Sequence, residues 1–187
     1  MRVSGGRARG IPLRVPRGAS FRPAMDRLRQ GVFSSLGARV EGARFLDFFA
    51  GTGSYGLEAF SRGAAGGTFI EQDRAAVGML RANITAVCRS MQCPESAVSV
   101  AGSDALLWTP PAGEEADLIF CDPPFKAIPL IAESLFRRMA GFVRREPAGL
   151  LIFEMPGEME LSSPGWRFIK RIGHGRDQPT CCFYASA

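Results

Sequence analysis

The stretch Phe45-Leu46-Asp47-Phe48-Phe49-Ala50-Gly51-Thr52-Gly53-Ser54-Tyr55-Gly56 limits the possible folds of this chain more than any other. An apolar run of strand length, broken by one acid and followed by three glycines, predicts a parallel strand covered on both faces, a glycine turn and the start of a helix. Gly51 and Gly53 allow positive-φ backbone and leave room for a ligand. The helix that follows aims its unpaired N–H groups at the same place.

Gly51-x-Gly53-x-x-Gly56 matches the dinucleotide fingerprint, a weak signal when taken alone. Asp47, four residues before Gly51, either caps a turn or meets a cationic group such as the ammonium of a methionine moiety. Glu71 closes the next apolar run, Thr68-Phe69-Ile70, about where such sheets place a ribose-binding carboxylate. S-adenosylmethionine and NAD could both use it.

Hydrophobic periodicity fills in the remaining elements. Residues 1–24, interrupted by Gly5-Gly6, Gly10, Pro12, Pro16, Gly18 and Pro23, read as an arm in which Ile11–Val15 forms a short edge strand or hairpin. The domain proper would then be residues 25–187. Helices are predicted from Asp26 to about Gly37, from Ser54 to Arg62 and from Asp73 to about Cys88. A fourth carries Ile128, Ile131, Leu135, Met139 and Phe142. Strands are expected at 45–49, 68–71, 97–100, 117–121 and 149–154, with Trp166–Arg171 and Thr180–Tyr184 as a closing antiparallel pair. Strands alternating with helices predict an α/β chain with a mostly parallel seven-stranded sheet and helices on both faces.

At 187 residues, 46% of them hydrophobic, the chain is long enough for one domain with a two-sided sheet. It has no apolar run of membrane-spanning length, so a cytoplasmic protein without a membrane partner is expected. Five cysteines without a C-x-x-C pair, beside the single His174, argue against zinc and against histidine-based catalysis. Cys121 reads as a small buried side chain, and Cys181 and Cys182 as neighbours on opposite faces of a strand. Residues 1–29 hold eight arginines and one acid, Asp26, so this stretch carries +7 and the remainder −2 of the net +5. A basic arm on a near-neutral body is the footprint of a phosphate-backbone binder, and Arg7, Arg9, Arg14, Arg22 and Arg27 are its candidate contacts.

The most specific feature is Asp122-Pro123-Pro124-Phe125, which follows the fourth strand. Two consecutive prolines fix φ and remove two donors, leaving rigid carbonyl acceptors beside a carboxylate and a planar ring. That set suits an exocyclic amine on a heteroaromatic base: Asp122 and a restrained carbonyl accept its two N–H groups while Phe125 stacks on the ring. A nitrogen held in this way can be aimed at an electrophilic methyl, with rate gained chiefly from positioning.

Together, Leu46–Ala64, Glu71 and Asp122–Phe125 resemble the RsmD family of bacterial methyltransferases. The upstream run Arg22-Pro23-Ala24-Met25-Asp26-Arg27-Leu28-Arg29-Gln30-Gly31-Val32-Phe33 is similar to that family's Arg-Pro-Thr-x-x-Asp-Arg-x-Arg-Glu-x-x-Phe signature, in a shortened register. Ala24 stands in place of threonine and Gln30 in place of glutamate, and Gly173–Asp177 matches the family's Gly-Asp-Thr segment poorly. The resemblance implies a Rossmann-like class I methyltransferase that uses S-adenosylmethionine to methylate N2 of a guanine in small-subunit ribosomal RNA. Its partner would be that RNA, free or in an assembling particle, and the enzyme would act as a monomer. By position, Asp47, Gly51 and Gly53 would line the methionine end, Glu71 would hold the ribose, Asp104 the adenine and Asp122–Phe125 the target base, with Ala50, Gln72 and Ala105 as further cofactor contacts. Other classes could use parts of the pattern. The amine-accepting edge would also serve DNA adenine-N6 or cytosine-N4 methylation. The glycines alone fit a nicotinamide-dependent oxidoreductase, which leaves Asp122–Phe125 unexplained. A non-catalytic RNA-binding module would account for Ala24 and Gln30.

Overall fold

The fold is built on five parallel strands whose order reverses beside the first. The computed structural model describes residues 1–16 and 23–187. In chain order these give α1 (Pro23–Leu36), β1 (Arg44–Phe48), α2 (Ser54–Ser61), β2 (Gly66–Ile70), α3 (Arg74–Met91), β3 (Val98–Ala101), β4 (Leu118–Cys121), α4 (Ile128–Met139), β5 (Leu150–Pro156), β6 (Trp166–Ile172) and β7 (Pro179–Ser186). The seven strands form one sheet in the order β3-β2-β1-β4-β5-β7-β6. β7 is antiparallel to both of its neighbours, so the sheet is mixed, with its parallel part running from β3 to β5. No helix among the described residues is long and apolar enough to cross a membrane.

Strand alternation divides the core into two layers. Phe45, Leu118, Phe120, Leu150, Ile152, Cys181 and Phe183 face the side packed by α1, α2 and α3. Leu46, Phe48, Ile119, Cys121, Leu151, Phe153 and Cys182 face the other side, where α4 packs. Cys181 and Cys182 therefore lie on opposite faces, as the strand pattern required. β1 has β2 on one side and β4 on the other; α2, which connects β1 to β2, packs on one face and α4, which connects β4 to β5, on the other. A crevice at the carboxyl ends of β1 and β4 follows directly from that reversal.

Element ends differ modestly from the sequence expectations. α1 begins at Pro23, before Asp26, and α3 runs on to Met91 before Gln92 ends it in the left-handed region. α4 stops at Met139, and Phe142 lies in the turn beyond it, half-buried against the α4-side core. Arg171 holds the closing hairpin to the β5 exit, donating to the Gly157 carbonyl at 2.8 Å and the Thr180 hydroxyl at 3.0 Å.

Residues 1–16 fold onto the body. The Val3 N–H donates to the Ile11 carbonyl at 3.0 Å and the Leu13 N–H to the Met1 carbonyl at 3.0 Å, while Val3, Ala8 and Leu13 are buried in the same core as α1–α3. Three buried polar groups, Glu58, Arg29 and Asn83, clamp this hairpin. Glu58 of α2 accepts from the Ser4 N–H and hydroxyl, both at 2.7 Å, and pairs with Arg62 at 2.8 Å. Buried Arg29 of α1 reaches the Arg2 carbonyl at 2.8 Å, Asp26 at 2.9 Å and Glu58 at 3.6 Å. Asn83 of α3 takes the Arg14 N–H at 2.7 Å and donates to the Arg14 carbonyl at 3.1 Å and the Thr52 carbonyl at 2.9 Å. Replacing Asn83 with alanine leaves one N–H and two carbonyls without this partner, so stability should fall by about 2–4 kcal/mol. Chemical denaturation checks the size of the loss, and limited proteolysis should show faster cleavage within residues 1–16.

Candidate active site

The glycine loop is held from three directions. The Asp47 carboxylate, only 2% exposed, accepts from the Gly56 N–H at 2.9 Å and so ties the end of β1 to the first turn of α2. Gly53 takes φ +80°, and a Cβ there would come within 2.4 Å of Leu80. At Gly56 a Cβ would come within 2.3 Å of the Phe69 ring and 2.6 Å of Phe45, so α2 approaches the sheet this closely only because the position is glycine. Glu71, just past β2, closes the third side: one oxygen accepts from the Gly51 N–H at 2.8 Å and the other from the Asp73 N–H at 2.8 Å. Asp73 in turn caps α3 through the Ala76 N–H at 2.7 Å.

β4 delivers the second loop beside the first. Phe48 pairs with Cys121 in register, and the Asp122 N–H donates to the Phe48 carbonyl at 3.3 Å. Asp122 and Phe49 therefore leave adjacent strands side by side. A cleft of about 440 Å³ opens here, lined by Phe49, Glu71 and Gln72 on one side and by Asp122, Pro123, Pro124 and Phe125 on the other. Its remaining walls come from Met25, Glu154 and Pro179. The cleft thus joins Phe49, at the entry to the glycine loop, to the Asp122–Phe125 loop, while Gly51 and Gly53 are not part of its lining. Pro124 spends its carbonyl on the Ala127 N–H at 2.8 Å, whereas the carbonyls of Asp122 and Pro123 and the Asp122 carboxylate accept no hydrogen bond among the described residues.

Other sequence candidates lie outside the lining of this cleft. Asp47 lies beneath the loop, and Ala50, Gly51 and Gly53 form the loop's backbone. Asp104 and Ala105 follow β3, where Asp104 accepts from the Leu106 N–H at 2.8 Å. Arg9, Arg14 and Arg27 are exposed. The Arg7 guanidinium is engaged with the Met91 carbonyl, and Arg22 lies outside the described residues. Phe49 and Glu154 were not singled out from the sequence. Phe49 sits at φ +57°, a left-handed conformation rare for a bulky residue and often found at functional sites.

Glu154 comes from β5, one residue past the Cys121–Phe153 pair, so it stands beside Asp122. It is 5% exposed, and its Oε2 accepts from the Tyr55 hydroxyl at 2.7 Å. The Tyr55 ring stacks on Phe120 with centroids 5.5 Å apart, which fixes that hydroxyl. Strand alternation puts Asp47, Asp122 and Glu154 on one face, and their proton affinities rise together. Burial, then the charges of Glu154 and Asp47, pushes Asp122 well above the usual carboxylate range. Burial also raises Glu154, against the pull of Tyr55 and Arg29.

Asp47 is raised from 3.8 to about 8 by burial, opposed by the Gly56 N–H and reinforced by Glu71. The folded protein thus binds this proton more tightly than the unfolded chain does. The stabilising contribution is complete below pH 3.8 and is lost as pH rises to about 8. Asp47→Asn keeps an acceptor for Gly56 but cannot titrate, so the decline in stability over that interval should become shallower, with Asp122 and Glu154 supplying the remainder. Denaturant midpoints measured from pH 4 to 9 decide it; an unchanged slope would contradict the assignment.

Comparison with known proteins agrees with this architecture. A family model described as "Conserved hypothetical protein 95" matches residues 1–184. "Ribosomal RNA small subunit methyltransferase D" of Escherichia coli (strain K12) is 38% identical over 126 residues, which cover 67% of this chain and 61% of that protein's own length. The Haemophilus influenzae protein of the same name is 30% identical over 179 residues, covering 91% of this chain and 86% of that one. The solved structure of the Escherichia coli protein yhhF superposes with a TM-score of 0.80 at 30% identity, covering 100% of this chain and 97% of that one. The seven-stranded sheet with its helices is the Rossmann-like methyltransferase fold. With a match over nearly its whole length, this chain belongs to the conserved hypothetical protein 95 family, the RsmD family.

Proposed function

We propose that this protein transfers a methyl group from S-adenosylmethionine to the exocyclic N2 amine of a guanine in small-subunit ribosomal RNA, in the cytoplasm. One observation carries the reading: the carbonyls of Asp122 and Pro123 and the Asp122 carboxylate accept no hydrogen bond among the described residues, and both residues line the same cleft as Glu71. The residues present fit the donor. Glu71 has lone pairs left beyond its two N–H contacts for a ribose diol, and at Gly51 the glycine loop leaves room for a ligand to approach its backbone. When bound, the donor supplies a sulfonium methyl group.

The Asp122 carboxylate and the Pro123 carbonyl accept the two amine N–H groups, and Phe125 stacks on the base. Glu71 and the glycine loop would hold the donor so that its methyl group could pass to that nitrogen, the new N–C bond replacing the donor's C–S bond. Asp122, whose proton affinity is raised by its surroundings, accepts the proton that the nitrogen loses. The exposed Arg9, Arg14 and Arg27 meet the RNA backbone, while the engaged guanidinium of Arg7 serves mainly to hold the hairpin.

Mapping modified nucleotides in ribosomal RNA by mass spectrometry, with and without the gene, tests the reading. One N2-methylguanine in the small-subunit RNA should disappear with the gene. Asp122→Ala should lower the transfer rate by about 10³-fold and leave cofactor affinity nearly unchanged; isothermal titration and methyl incorporation measure the two separately. Replacing Arg9, Arg14 and Arg27 together should weaken RNA binding and reduce the slope of log affinity against log salt by roughly two. A salt titration of binding reads this directly, and cofactor affinity should stay constant.

A further inference from the structure

Resting on the guanine-N2 reading, we propose that Glu154 selects the base, its carboxylate accepting the guanine N1–H while Asp122 and the Pro123 carbonyl hold the adjacent amine. Glu154 is 95% buried, yet it lines the cleft beside Asp122. Its Oε2 is committed to the Tyr55 hydroxyl, and its Oε1 accepts no hydrogen bond among the described residues. A carboxylate so deeply buried and half-satisfied, facing the cleft, is built for a donor that arrives with the ligand. The shared register of β4 and β5 sets this acceptor next to that of Asp122 at the same level of the sheet.

Guanine is the one standard base whose Watson–Crick edge presents a ring N–H beside an exocyclic amine that sits between two ring nitrogens. Adenine and cytosine place an unprotonated ring nitrogen beside their amine. Facing Asp122 and Glu154 in their ionised form, that nitrogen would set lone pair against lone pair and leave a buried acceptor unpaired, which costs much more than a missed apolar contact. The acceptor edge around Asp122 serves any amine, and Glu154 is what turns it toward guanine. Tyr55, stacked on Phe120, fixes the carboxylate rotamer from behind and so acts as a positioning residue.

The test uses small-subunit RNA in which the target guanine, once mapped, is replaced by 2-aminopurine. That base keeps the N2 amine but has a bare N1 acceptor. The wild-type enzyme should prefer guanine by about 100-fold in kcat/KM, within the range for one discriminating hydrogen-bonded contact. Glu154→Gln still accepts from Tyr55 and offers an amide N–H to the base. It should lose about 100-fold on guanine, shift its 2-aminopurine-to-guanine ratio upward by at least as much, and retain cofactor affinity. An unchanged ratio overturns the proposal. If the variant does not fold, as shown by lost cofactor binding, equal wild-type rates on guanine and 2-aminopurine overturn it instead. Failure of the wild-type enzyme to methylate any guanine would defeat the functional reading itself, a result distinct from both.

Discussion

The reversal of strand order between β1 and β4 is the constraint from which the rest of the molecule follows. Because the connections on the two sides of β1 pack on opposite faces, through α2 and α4, a crevice opens at the carboxyl ends of β1 and β4. Whatever the loops carry there is exposed to the same small volume. One loop is nearly all backbone, shaped by glycine and held by Asp47 and Glu71. The other is stiffened by two prolines. Both loops are thereby stiffened from within, one by its own hydrogen bonds to Asp47 and Glu71 and the other by its prolines.

Much of this was legible in the chain. The Asp47–Gly56 run identifies itself because a two-sided strand, a glycine turn and a helix start each leave a distinct local pattern. Asp122–Phe125 does so because consecutive prolines after an apolar run have few other uses. The alternation of Cys181 and Cys182 was equally readable. The polar residues that tie elements together were hidden, because a buried Asn83 or Glu58 on a helix looks in one dimension like a solvated side chain. Glu154 was read only as the end of a strand. Parity held the missing signal: with Leu150 and Ile152 packed toward α1–α3, Glu154 had to point the same way, beside Asp122. What parity alone cannot supply is register between strands far apart in sequence, and here the register brings the two acids together.

Grouping Asp47, Asp122 and Glu154 on one buried face costs stability, since each must lose water near like charge. Arg29 and Tyr55 offset part of that cost for Glu154, and the Gly56 N–H for Asp47. Such a face is not what a chain selected for stability alone would keep, and the aromatic stack of Phe33, Tyr55 and Phe120 immediately beneath it supplies the compensating rigidity.

The side chain of Asn83 has a consequence beyond local satisfaction of polar groups. Its Oδ1 accepts from the Arg14 N–H while its Nδ2 donates to both the Arg14 and the Thr52 carbonyls, so one planar amide ties the two segments and a shift in either disturbs the other's hydrogen bond. Thermodynamic reciprocity then applies to the hairpin and the glycine turn as it does to any two linked sites: a molecule that steadies the first strengthens the grip of the second by an equal free energy, and the reverse. On the proposed function, polymer engaged at the basic end and nucleoside seated over the turn would meet as cooperating ligands, joined by a group too small to belong to either.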